Sequence, residues 1–375
     1  MITFGKYMHT TAHEHTWIEV SKDAVRHNIQ YLMSLNHNRE KSFILMVKAN
    51  AYGHGLVEIS MLAQDLGAFG LGVATLSDVE VLRAALIQIP IIVFSQCPPE
   101  DYAVLKKNSA ETIIGDFSTL ESYKSTQPKD QPSYHIKIDA GLGRFGFGEN
   151  DIPKLVRELK NLSPPTGICT HYSSANESTL ITENEFSHFM RCLDKLRSAG
   201  IVSPITHASN SAATAWLDEN ITNVVRLGLA AYGLQANDIR TMELKPALSL
   251  RTRIVGTHYA EAGSFAGYGH AWKTEDAAKI SILSIGYSDG LPKSSSKHGY
   301  VLCNGTRLPI ISVMMNQTLI NSTPCPEATN GSVVTIIGND GNDRISAEEV
   351  GSWNSTINED IITSLQHNLA RIFIA

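Results

Sequence analysis

The chain has 375 residues, 43% of them hydrophobic and 18% charged, and a net charge of −6. That length suits one large domain or two ordinary ones. An acidic chain without a basic run lacks the electrostatic footprint of a nucleic-acid binder, and no stretch approaches the roughly 18 apolar residues of a membrane helix. The amino-terminal "MITFGKYMHTTAHEHT" has no apolar core of a secretory signal. Cys97, Cys169, Cys192, Cys303 and Cys325 show no CxxC or metal-ligand spacing. They read as reduced, mostly buried thiols, so no metal is expected and the expected location is cytoplasmic.

In chain order, "TWIEVSKDAVRHNIQYLMSL" predicts a strand, Ser21 as N-cap, and a helix. From residue 43 short apolar, β-branched runs alternate with helical patterns. Eight such runs occur: "FILMVK" (43–48), "FGLGVAT" (69–75), "PIIVFSQ" (90–96), "ETIIGD" (111–116), "YHIKID" (134–139), "TGICTHY" (166–172), "PITHAS" (204–209) and "NVVRLGL" (223–229). Between them lie "LVEISMLAQDLG", "TLSDVEVLRAAL" with Ser77 as N-cap, and "TENEFSHFMRCLDKLRSAG" closed by Gly200. Eight β/α units in about 200 residues predict a (β/α)8 barrel of the TIM type; an open doubly wound sheet is the second possibility. After residue 250 the texture becomes strand and glycine turn, as in "LSLRTRIVGTHYA", "AKISILSIGYSDG", "YVLCNGTRLPIISVMM" and "SVVTIIG". The expected organisation is therefore an α/β barrel over residues 1–250 and a mainly β domain over 251–375.

Barrel active sites sit at the carboxyl ends of the strands. Lys48 falls there, where a buried lysine forms Schiff bases, although a lone strand-end lysine is more often a solvated side chain. The fifth run ends in "KIDAGLGRFGFG", with Lys137 and Arg144 around a glycine-rich turn. The sixth and seventh bring His171 and then His207, Asn210 and Ser211; alone, the two histidines read as satisfied core residues. The eighth holds Arg226 among Val224, Val225, Leu227 and Leu229, where a guanidinium needs buried partners. A serine at a helix start and a glycine-rich loop after the eighth strand form the usual barrel phosphate site. Phosphate, lysine and buried arginine at one mouth suggest pyridoxal phosphate.

"VKANAYGHG", "KIDAGLGRFG", "THYSSA", "HASNSAA", "VRLGLAAYG", "GYGHAW" and "IGYSDG" resemble, in order, the motifs of the alanine racemase family. The resemblance implies a barrel followed by a β domain, a pyridoxal 5'-phosphate cofactor and a homodimer with composite active sites. It implies that Lys48 holds the cofactor and acts as one catalytic base, with Tyr268 of the partner copy as the other. Tyr52, Ser211 and the backbone of Gly228 and Leu229 would hold the phosphate beside Asn210, and Arg226 would face the pyridine nitrogen. Arg144 and the Met315 backbone N–H would meet the substrate carboxylate. Lys137, often carbamylated in the family, would support Arg144. His171 would join Tyr268 to Arg226, His207 would support the site, and Tyr287 of the partner copy would line the approach to it. Removing a proton from one face of a planar carbanion and returning it on the other calls for two opposed bases. A tyrosine base also needs nearby positive charge to bring it down from its reference pKa of about 10.

Two positions depart from the family. Asn316 replaces an aspartate, and Glu359 replaces a tyrosine that narrows the approach. The expected function is racemisation of L-alanine to D-alanine, feeding peptidoglycan synthesis. The alternative is a broader racemase that also takes serine. A fold-related decarboxylase would place a carboxylate, not Arg226, at the pyridine nitrogen, and a non-catalytic cofactor carrier would lack the β domain with Tyr268.

Overall fold

The structure, a computed structural model, describes residues 15–35, 38–236 and 238–375. The amino-terminal stretch read for targeting lies outside them up to residue 14. Two units are distinguished. Ala24–Ala51 and Gly55–Lys245 form one; the described residues up to Asp23, Tyr52–His54 and Pro246–Ala375 form the other.

The first unit is a closed barrel of eight parallel strands. After a strand β1 (Thr16–Ser21) that belongs to the other unit, the barrel strands are β2 (Ser42–Met46), β3 (Gly70–Val73), β4 (Ile91–Val93), β5 (Ala110–Ile114), β6 (Ser133–Lys137), β7 (Gly167–Cys169), β8 (Ile205–His207) and β9 (Val224–Leu227). Each expected run overlaps one of them; β2, β5 and β6 begin one residue before it, and every strand ends short of it because only the residues facing both neighbours complete the ladder. β9 closes on β2, with Ser42 opposite Val224. Alternate residues point inward, and Ile44, Ile92, Ile113, Cys169, Ile205 and Val224 fill the interior. Each large apolar side chain buried there contributes about 1.5–3 kcal/mol.

Helices follow the strands, among them Leu56–Asp65, Leu76–Ala84 and Thr179–Ser198. The second starts at Thr75, not at Ser77. Thr75 Oγ1 accepts from Asp78 N–H while the Asp78 carboxylate accepts from Thr75 N–H. This reciprocal cap satisfies two orphan donors at once and outcompetes a lone serine two residues on. Gly200, at φ 81°, closes the third in the left-handed conformation that glycine adopts without cost.

The second unit is built on a nine-stranded sheet. β1 lies between two of its strands, antiparallel to β10 (Leu248–Ala260) and parallel to the carboxyl-terminal strand Ala370–Ile374. Along β10, Leu248, Leu250, Thr252 and Ile254 are buried and the residues between them are not, the period-2 signature of a sheet with one covered face. Two short helices, Ala347–Trp353 and Asn358–Thr363, complete it. Among the described residues no helix is long and apolar enough to cross a membrane.

Candidate active site

Lys48 stands two residues past the end of β2 and opens the turn Lys48–Tyr52. Ala49, Asn50, Ala51 and Tyr52 have φ of 51°, 56°, 52° and 52°. This is a left-handed turn made without glycine, a conformation that costs L-residues roughly 1–2 kcal/mol each. Ala51 N–H donates to Val47 O at 2.8 Å, Gly55 N–H to Asn50 O at 2.9 Å, and Leu56 N–H to Asn50 Oδ1 at 2.8 Å. Such strain persists only where the surroundings over-determine it, and it gathers at functional sites.

At the same mouth Arg226 is 4% exposed. Its Nη1 donates to His207 Nδ1 at 2.9 Å; its Nη2 faces Thr170 O at 2.8 Å, Ala208 O at 2.7 Å and His171 Nδ1 at 3.2 Å. No carboxylate lies within ion-pair distance of it among the described residues, and its Nε–H has no acceptor there. Burial holds the His171 imidazole well below its ordinary range, and Arg226, Arg144, Lys137 and Lys48 add to the effect. His171 is therefore neutral. Since an arginine only donates, its Nδ1 is the acceptor and its Nε2 carries the proton.

Lys137, 6% exposed, lies with Nζ 3.9 Å from the centre of the Phe145 ring. Burial lowers its pKa to about 8; Arg144 and Arg226 reinforce this, and Cys169 and Asp139 oppose it. A cavity of about 30 Å³ is lined by Lys137, Arg144, Cys169, Thr170, His171 and Arg226, together with Phe94, Ile113 and Phe145. Thr170 Oγ1 is buried with no hydrogen-bond partner among the described residues. Arg144 itself is exposed.

Ser211 opens the short helix Ser211–Thr214 beyond β8 and is 5% exposed. Its Oγ accepts from Gly228 N–H at 2.9 Å and Ala230 N–H at 3.3 Å. The hydroxyl proton thus points away from both amides. Asn210 Oδ1 is committed to capping this helix through Ala213 N–H at 3.0 Å.

In the β unit, Tyr52 is buried, and burial first, then the Glu359 carboxylate, push its phenol up, so it stays a neutral donor. Gly53 is held close there: a Cβ on it would lie 2.4 Å from Ile362 O. Tyr268, in a turn flanked by Gly267 and Gly269 at φ 79° and 65°, is 76% exposed. Tyr287 N–H donates to Met314 O and Ser288 N–H to Met315 O. Asn316 Nδ2 donates to Ser288 Oγ at 2.8 Å, which donates to Met315 O at 2.8 Å. The Asn316 amide thus braces the turn that carries Tyr287 and Met315.

The barrel brings together Lys48, Lys137, Arg144, His171, His207 and Arg226, with Ser211 and Gly228 packed on each other beside them. Tyr52, Tyr268, Tyr287, Met315, Asn316 and Glu359 belong to the β unit. Sequence reasoning missed the left-handed turn, for which the asparagine in "KANAYG" was the available signal. It also missed Glu111 and His135, inward residues of β5 and β6 that hydrogen-bond to each other and lead to His207.

Sequence models of the alanine racemase N-terminal and C-terminal domains match residues 20–236 and 247–373. The alanine racemase of Methanococcus maripaludis is 33% identical over 369 residues, covering 96% of this chain and 98% of its own. That of Leptospira interrogans is 31% identical over 379 residues, covering 96% of each. A crystal structure of alanine racemase from Bacillus anthracis with bound L-Ala-P superposes with a TM-score of 0.91 at 33% identity, over 98% of this chain and 96% of that one. The enzyme from E. faecalis gives 0.90 at 29% identity, over 98% and 100%.

Proposed function

The chain belongs to the alanine racemase family, and we propose that it interconverts L- and D-alanine with pyridoxal 5'-phosphate, using Lys48 and Tyr268 of a second copy as opposed bases. The observation that carries this reading is Arg226: a buried guanidinium at the barrel mouth, without a carboxylate partner, whose Nε–H has no acceptor among the described residues.

The donors present fit that cofactor. Ser211, with its oxygen occupied by two amides, keeps its hydroxyl proton for a phosphate oxygen; the Leu229 N–H and the neutral Tyr52 phenol add donors of the same kind. The Arg226 Nε–H suits an aromatic ring nitrogen, and because arginine does not release its proton, that nitrogen stays unprotonated. The Lys48 amine suits the aldehyde. When bound, pyridoxal phosphate supplies the electron sink that lets an α-proton leave.

Lys48 Nζ takes or returns that proton on one face, and Tyr268 Oη does so on the other. His171 Nε2–H gives a phenolate oxygen a hydrogen-bond donor. Arg144 pairs with the substrate carboxylate, assisted by the Met315 N–H. Lys137, depressed to about 8, has an appreciable neutral fraction near pH 7.5. Such an amine can take up CO2, and a carbamate would give Arg144 an anion to lie against. Tyr268, 76% exposed, acquires its role when a second copy covers it, so the homodimer is the working unit. D-Alanine made in the cytoplasm would feed peptidoglycan synthesis, as the family resemblance implies.

The test is the purified protein with pyridoxal phosphate, assayed on L-alanine and L-serine for their D-enantiomers. Alanine is expected to be faster by about tenfold or more. Equal or faster serine turnover would make Glu359 and Asn316 specificity determinants and overturn alanine as the main substrate.

A further inference from the structure

An arginine buried without a carboxylate is costly, and the barrel interior shows how Arg226 is supported. His207 Nδ1, which accepts from Arg226, belongs to a ring whose Nε2 lies 2.8 Å from His135 Nδ1. His135 Nε2 lies 2.8 Å from Glu111 Oε2, which also accepts from Thr166 Oγ1 at 2.6 Å. Both histidines are 0% exposed, and the Glu111 side chain is 14% exposed.

The direction of every bond follows from its end. Arg226 can only donate, so His207 Nδ1 is bare and a neutral His207 carries its proton on Nε2. It therefore donates to His135 Nδ1, and His135 donates from Nε2 to the carboxylate. Burial, Arg226 and His135 hold the His207 imidazole well below its ordinary range, which keeps it neutral. Burial alone would push the Glu111 carboxyl up; the hydrogen bonds it accepts from His135 and Thr166 hold it below its usual range. Because arginine accepts no proton, this chain cannot pass one to the mouth. What it can transmit is orientation and polarisation.

The strands are built to hold it. Glu111, Gly167, His207 and Arg226 each lie two residues from an interior residue of their own strand, and His135 is level with Ile113 of β5, so all five are in inward register. Gly167 makes the room: a Cβ there would sit 2.0 Å from His135 Nδ1. Glu219 acts on Arg226 through space, but its own bonds go to Tyr172 and Thr222.

We propose that Glu111 and His135 are positioning residues for Arg226: with His207 they form a one-way hydrogen-bond relay that fixes His207 as an acceptor and sets the carboxylate of Glu111 against the guanidinium at the barrel mouth. A reversed His207 would turn an N–H toward the Arg226 N–H and expel the guanidinium from its seat. The consequence for turnover rests on Arg226 facing the cofactor; the relay itself does not.

Long-range 15N–1H spectra of 15N-histidine-labelled protein without cofactor read each tautomer directly. Both His135 and His207 are expected as Nε2–H tautomers. In the holoenzyme, Glu111→Leu is expected to lower kcat about tenfold with KM for alanine within about twofold, and to mix the His135 tautomers. Glu111→Gln keeps an acceptor and loses the charge; it is expected to keep both tautomers and to fall between in kcat, and it carries the test should the leucine variant not fold. An Nδ1–H tautomer at either ring of the wild type overturns the proposal, as does wild-type kcat in the glutamine variant. A wild type with these tautomers and no racemase turnover would instead fault the cofactor reading.

Discussion

The barrel buries most of its candidate site side chains, Arg144 excepted, whereas the β unit buries Tyr52 and leaves Tyr268 and Met315 exposed. Arg226, Ser211 and Lys137 are 4%, 5% and 6% exposed, while Tyr268 and Met315 are 76% and 57% exposed. Burial does two things in the barrel. It forces each polar group to find a defined partner, and it sets charge state, keeping His171 and His207 neutral and bringing Lys137 down to about 8. The exposed tyrosine has neither constraint until something covers it. On the proposed reading, the buried groups are already in place within one chain, whereas Tyr268 acquires its role only when a second copy covers it.

The largest losses are expected at the two proposed bases. Lys48→Ala is expected to lower kcat by about ten-thousandfold, since it removes the proposed base and the proposed attachment amine together. Tyr268→Phe is expected to cost about a hundred- to a thousandfold with the fold unchanged, because only an exposed hydroxyl is lost. Circular dichroism and steady-state racemisation check both; a Tyr268→Phe enzyme with wild-type kcat would remove the β unit from the chemistry.

Arg226→Leu probes the buried half. It strands His207 Nδ1, Thr170 O, Ala208 O and His171 Nδ1 together, and a loss of about 3–5 kcal/mol in denaturant unfolding is expected. The same substitution on an exposed arginine such as Arg144 should cost well under about 1 kcal/mol.

Titration sharpens the contrast more gently. The folded Lys137 amine releases its proton near pH 8, the unfolded one near 10.5. Between those values the unfolded chain holds a proton that the folded one lacks, so stability rises with pH across the window and is lowest below it. In CO2-free buffer, Lys137→Met should lack this rise. Likewise His171 and His207 resist protonation when folded, so stability falls as pH drops below about 6.5.

The smallest effect is expected at Glu359, which faces Tyr52 within the β unit. Glu359→Tyr should change the alanine-to-serine ratio of kcat/KM by less than about twofold, well below one contact's worth of discrimination. A larger swing toward alanine would make that carboxylate a specificity device.

Much of the barrel was legible because its physics is local: β-branched runs alternate with amphipathic stretches, and each of the eight strands overlaps an expected run, five lying wholly inside it. Lys48 and Arg226 stood out because a charge amid apolar neighbours needs a reason. The left-handed turn after Lys48 left only Asn50 as a signal, since Ala49 and Ala51 carry no preference for positive φ and are held there by bonds involving Val47, Asn50 and Leu56. The Thr75 cap lost to Ser77 in reading because both precede the same helix, and only the reciprocal bond to Asp78 separates them. Glu111 and His135 were invisible for a different reason. They meet across 24 residues, and His135 meets His207 across 72; each looks like an ordinary polar interruption of a strand until the barrel closes.

The proposed site joins the buried groups around Arg226 and Lys48 of one chain to the exposed Tyr268 of another. The direct measurement mixes Lys48→Ala and Tyr268→Phe proteins, each nearly inactive, under conditions that exchange subunits. Half of the resulting dimers would be mixed, and each would hold one site with both an intact Lys48 and an intact Tyr268. Recovery of about a quarter of wild-type activity is the predicted result. A mixture that stays as inactive as its components, with exchange verified, would contradict the composite site and return Tyr268 to its own chain.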